Sequence, residues 1–310
     1  MKKKTLGLIA GICSLGMMLS LSACGSNGGS SAKGSGDNII TAYNSEPQNA
    51  LIPGDTNETG GGKVGQLLFA NLIAFNAKGE AENEVADSIK PNADSTQYTI
   101  TLKDGWKFTD GTPVTAESFT KAWSYVANAK NAQKCSSFFS AIAGYDDLQK
   151  DGLKGDEQLS GLKVVDDTTF TVDLNQSDSV FAIKVGYTAF APLPESFFKD
   201  PKAFGEKPVG NGMYKLDSWD HGKQIVLSKN ADYKGSQKVA NNGVTFKIYT
   251  SPDSAYADVQ AGNLDVMDTV PASNTKTFQS DPDVEPYNKA GSVIQTFTIP
   301  ADLDHWKTGT

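Results

Sequence analysis

Hydrophobic and polar positions alternate strictly in two stretches of the chain. Tyr98-Thr99-Ile100-Thr101-Leu102 and Phe170-Thr171-Val172-Asp173-Leu174 make every second side chain apolar, and a period of two predicts strands with one face on a core. Val164-Val165 before Asp166-Asp167 predicts a hairpin arm beside the second of them. Ile39-Ile40-Thr41-Ala42-Tyr43 predicts a short strand leading into a polar loop with Pro47, Pro53 and Gly54, and Gln224 to Leu227 and Val244 to Tyr249 predict two further strands. Elsewhere the period is helical. Val64, Leu67, Leu68 and Leu72 predict a helix following the glycines at 60 to 62. Phe119, Ala122, Trp123 and Val126 form one apolar stripe, opened by Thr115 as N-cap with Glu117 in the first turn, so that helix packs on a sheet. A last helix runs from Ser254 to Ala261 and ends at Gly262. The class is α/β in the mixed α+β sense, without an internal repeat.

The first residues follow another logic. Lys2, Lys3 and Lys4 precede an apolar run from Leu6 to Ala23, and Leu21-Ser22-Ala23-Cys24 closes it. A charged start, an apolar middle and small residues at the end predict an export signal over 1–23. The tetrapeptide resembles the bacterial lipobox, which implies lipidation of Cys24 and an anchor on the extracytoplasmic face of the cell membrane. Two acyl chains suffice for stable anchoring. Residues 24–37 are nearly all Gly, Ser, Asn, Ala and Lys, a flexible tether.

Charge narrows the partners. Of 28 basic and 36 acidic residues, the signal removes three lysines, leaving 25 against 36; such an acidic surface argues against nucleic acid. Cys13 falls in the signal and Cys24 is the lipidation site, so Cys135 is the one remaining thiol, expected to be buried. His221 and His305 lie far apart without ligand spacing, so neither a metal site nor a cofactor is expected. Gly60 to Gly62 with Lys63 is not a phosphate loop, because Val64 stands where Ser or Thr is needed and Asn57 where the first Gly belongs. No Gly-x-Ser-x-Gly elbow or His-Glu-x-x-His occurs, so no catalytic residue is assigned and no enzyme is expected.

Four blocks, in order, carry a family resemblance. Leu102 to Phe119, with its Asp110-Gly111 turn and Thr112-Pro113-Val114, is followed by Trp123; then come Pro208-Val209-Gly210-Asn211-Gly212-Met213-Tyr214, Asn230 with Tyr233, and Ala261 to Val266. Together they resemble the large solute-binding proteins of peptide ABC importers, the extracellular family 5 group. The resemblance implies a type II periplasmic-binding-protein-like fold of the peptide-binding subclass. It implies a first lobe from 38–58 plus 206–290, incomplete here, an inserted accessory domain over 59–205, and 291–310 as the start of a second lobe that the chain does not complete. Its expected partners are peptides and the membrane permease subunits of an importer, with no chemistry performed. The same fold carries nickel chelates and oligosaccharides, and a surface receptor or adhesin that kept the fold is a further alternative.

The resemblance also points to ligand-binding candidates. Asn44-Ser45-Glu46-Pro47-Gln48 resembles the Ser-Glu-x-Gln segment after the first strand of oligopeptide carriers, where backbone pairs with an extended peptide. Glu46 is placed to balance a positive charge on the ligand. The Cys135 to Phe139 stretch resembles another region near ligand, so Phe138 and Phe139 are candidates alongside core packing.

Overall fold

The computed structural model of the protein describes residues 38–289. The predicted signal, Cys24, the tether and the stretch 291–310 lie outside the described residues. In chain order the elements are β1 (Ile39–Asn44), α1 (Thr59–Leu68), β2 (Ile73–Phe75), β3 (Ala81–Asn83), β4 (Ala86–Pro91), β5 (Gln97–Leu102), α2 (Ala116–Ala127), β6 (Leu162–Asp166) and β7 (Thr169–Asp173). The short helices α3 (Phe181–Lys184), α4 (Glu195–Lys199) and α5 (Pro201–Glu206) follow, then β8 (Tyr214–Asp220), β9 (Gln224–Lys229), β10 (Gly243–Ile248) and α6 (Pro252–Gln260).

The two alternating stretches are β5 and β7, the inner strands of an antiparallel sheet in the order β4-β5-β7-β6. Tyr98 pairs with Val172 and Ile100 with Phe170, and all four are buried, as one-sided coverage requires. The cover is α2. Phe119 stacks on Phe170 at 5.9 Å, and Trp123 meets Phe170 and Phe190 edge-on at 5.6 and 5.2 Å. Trp123 also donates its indole N–H to Phe190 O at 2.8 Å, so a fully buried indole is satisfied. Thr115 caps the helix as predicted, with Ser118 Oγ accepting its backbone N–H at 3.1 Å.

The other large sheet has the order β1-β10-β9-β8. Its outer strand β1 runs parallel to β10, pairing Ile39 with Gly243 through to Asn44 with Ile248. The free side of β1 is covered by the block after α6: Tyr43 N–H donates to Val266 O, and Asp265 accepts from the Thr41 N–H and hydroxyl, both at 2.7 Å. A small hairpin, β2 with β3, stands apart.

Helix α1 departs from expectation at both ends. It starts at Thr59 and contains Gly60 to Gly62, because Glu58 caps it by accepting the Gly61 N–H at 2.9 Å, and because a Cβ at Gly60 would fall 2.7 Å from Ser45 O. It stops at Leu68, leaving Leu72 outside though fully buried. There the family block intervenes. Gly212 N–H donates to Leu68 O at 2.8 Å, and Asn211 grips both backbone groups of Ala70 at 3.0 Å. A Cβ at Gly210 would lie 1.9 Å from Leu68 O, so only glycine admits this approach.

Candidate functional site

The loop after β1 is built from its ends inward. Asn44 is fully buried and donates its amide to Gly60 O at 2.9 Å, fastening the loop to the first turn of α1; its Oδ1 is buried without a partner among the described residues. Pro47 is buried beneath the loop, while Ser45 and Gln48 are exposed. Gln48 N–H donates to Glu58 at 3.3 Å. Between these fixings, the backbone N–H and C=O groups of Ser45 and Glu46 make no hydrogen bond among the described residues. Four main-chain groups thus lack a hydrogen-bond partner among the described residues where β1 leaves its sheet.

Glu46 turns its carboxylate toward the β8–β9 hairpin. Oε1 accepts from Trp219 Nε1 at 3.2 Å and from His221 Nδ1 at 2.9 Å, and Oε2 accepts the Gly222 N–H at 3.0 Å. On its other side, His221 Nε2 meets Glu206 at 2.9 Å. A neutral imidazole has one N–H, so only the charged form donates to both carboxylates. The hydrogen bonds to Glu206 and then to Glu46 raise the His221 pKa. Sequence reading left this histidine without a role, and its partners, 175 and 15 residues away, gave no local signal. His305 lies outside the described residues.

Phe138 and Phe139 part company. Phe138 is half exposed and stacks flat on Tyr187, ring centres 4.5 Å apart. Phe139 is fully buried against Trp123 and Phe190; in this structure it has no surface to offer a ligand. Cys135 is buried as expected, and burial pushes its thiol pKa up.

A groove of about 590 Å³ opens beside the C-terminal half of α1. Gln66, Asn71, Phe75, Glu84, Ile183 and Tyr187 are among its walls, and none of residues 44–48 is. Loop and groove are separate features joined by α1, with Gly60 at one and Gln66 at the other, about 9 Å along the helix axis. Sequence reading missed the groove, because its walls come from five separate segments. No group of acidic, His or Cys side chains among the described residues forms a metal cage.

Residues 80–302 match the sequence profile of the bacterial extracellular solute-binding proteins, family 5, middle region. The chain belongs to this family. Among curated relatives, the oligopeptide-binding protein OppA of Bacillus subtilis is 30% identical over 277 residues, covering 85% of this chain and 50% of that protein. Among solved structures, the murein tripeptide-binding protein MppA of Escherichia coli superposes with a TM-score of 0.73 at 25% identity, over 79% of this chain and 48% of that one. OppA of Haemophilus influenzae in complex with the peptide RPPGFSPFR gives 0.73 at 24%, covering 79% and 49%, a likeness of fold. The chain spans about half the length of these proteins. The family's blocks lie at the seams of the described fold: Asn211 at α1, Asn230 donating to Gly212 O at 2.8 Å, Tyr233 at Glu84, and Asp265 on β1.

Proposed function

We propose that the protein captures extended peptides and delivers them to the permease of an ABC importer, without chemistry. The observation that carries this reading is the main chain of Ser45 and Glu46 at the end of β1, which has no hydrogen-bond partner among the described residues. Such a stretch accepts a peptide by β-augmentation, in which backbone hydrogen bonds supply affinity with little demand on sequence. Asn44 and Pro47 hold the stretch from beneath, Glu46 fixes its course through the hairpin, and Gln48 and Phe138 are free to touch ligand. The relatives' names support the ligand class, since OppA and MppA are described as oligopeptide-binding and murein tripeptide-binding.

The lobe assignment belongs to the same reading: 38–58 with 206–290 as one lobe and 59–205 inserted. It is supported by the sheets, one drawn from 39–44 and 214–248 and the other from 86–173. Lipidation of Cys24 then holds the carrier beside its permease. The deciding experiment is mass spectrometry of ligands that copurify with the full-length protein. Mixed short peptides are expected; sugars, metal chelates or an empty protein that binds no added peptide would overturn the reading.

A further inference from the structure

Glu84 is a carboxylate with 3% of its surface exposed, yet it belongs to no ion pair among the described residues. Neutral donors hold it. The Tyr233 hydroxyl donates to Oε1, and the backbone N–H and hydroxyl of Ser236 approach Oε2, both at 3.3 Å. Burial first, and then this carboxylate, push the Tyr233 pKa well above the usual tyrosine range, so Tyr233 stays the donor. A carboxylate has about four acceptor positions, and three are occupied. Two lysines near it have other oxygen partners: Lys103 donates to the main-chain carbonyls of Asn83 and Glu84 at 2.8 Å, and Lys184 pairs with Asp178 at 2.5 Å.

Glu84 lines the 590 Å³ groove. So does Asn71, whose Oδ1 is buried without a hydrogen bond among the described residues while its amide nitrogen donates to Gly186 O at 3.2 Å. Above these acceptors stand Phe75, Ile183 and Tyr187, exposed by 44%, 52% and 40%. Large apolar side chains left this open mark a contact surface. An apolar rim over a buried carboxylate that has no ion pair among the described residues matches a long apolar stem that ends in a cation, the amphipathic build of lysine and arginine.

We propose that the groove receives a lysine or arginine side chain of the bound peptide, its cationic group meeting Glu84. The proposal rests on the peptide reading above and adds a specificity to it. The test uses the full-length protein and a set of alanine-based peptides carrying lysine or norleucine at each internal position, so that the terminal amine is constant. Calorimetry is expected to find one position where lysine binds about tenfold tighter than norleucine, the scale of a charge-assisted hydrogen bond. In Glu84→Gln that ratio falls to about one while the norleucine peptide binds as before. Should Glu84→Gln not fold, Ile183→Lys, at an exposed rim position, is expected to lower the same ratio several-fold. Peptides that bind with no lysine preference, or with a preference unchanged in the folded variant, would overturn this inference alone. If no peptide binds, the peptide reading falls with it.

Discussion

At the scale of single residues, the pair Glu46 and His221 shows how a charge that looks free in sequence acquires a structural task. Glu46 holds the loop against the hairpin through three hydrogen bonds, one of them from His221, which donates to Glu206 at the same time only when protonated. The His221 pKa is raised above the ordinary 6.5, so the folded state binds the proton more tightly than the unfolded chain. The contribution is therefore complete below 6.5 and is lost as pH rises through the higher folded value. Because the imidazole is exposed, the effect is screened by salt. An NMR titration of His221 is expected to give a pKa above 6.5 that drops in Glu206→Gln. An unshifted value in the wild type would remove the proposed bridge. For ligand binding, Glu46→Gln is expected to weaken lysine-containing and neutral peptides alike, because the carboxylate faces the hairpin; selective loss of cationic peptides would instead assign Glu46 a direct charge role.

At the scale of elements, α1 is the informative case. Its apolar spacing predicts continuation to Leu72, and its own residues supply no stop. The stop comes from Gly210-Asn211-Gly212, about 140 residues downstream in sequence. Asn211→Ala orphans the N–H and C=O of Ala70 in a buried setting, with an expected cost of at least about 2 kcal/mol. Urea denaturation measures it, and a cost near zero would show that α1 ends for another reason. Helix α2 is the contrary case, with stripe, cap and facing strands all agreeing. Trp123→Ala there is expected to cost about 3–5 kcal/mol, in a melt that remains a single transition.

At the scale of the whole molecule, the proposal that Cys24 is lipidated predicts that Cys24→Ser moves the exported protein from the membrane fraction to the medium or the soluble extract, with peptide binding intact. Immunoblotting of fractions reads this directly. Retention at the membrane would point to a different anchor. The parallel partnership of β1 and β10 belongs to the same scale. It joins the described chain's first strand to its last, and the loop proposed to bind ligand follows directly from it.

What was legible in the sequence was whatever a single element decides for itself. Period two survives in β5 and β7 because each buries one face, and the α2 stripe survives because one helix face meets a sheet. The four family blocks were legible too, since turns, caps and close backbone approaches demand particular residue types locally. The three-residue strands β2 and β3 and the bulged edge strand β4 were not, being too short or too irregular to show a period. Tertiary structure alone decided where α1 ends, which way the Glu46 carboxylate faces, that Phe138 is open while its neighbour Phe139 is sealed, and that Glu84 lies beneath a groove. Each of these depends on partners tens to hundreds of residues away, and a contact made across that separation leaves no periodic trace in the chain that makes it.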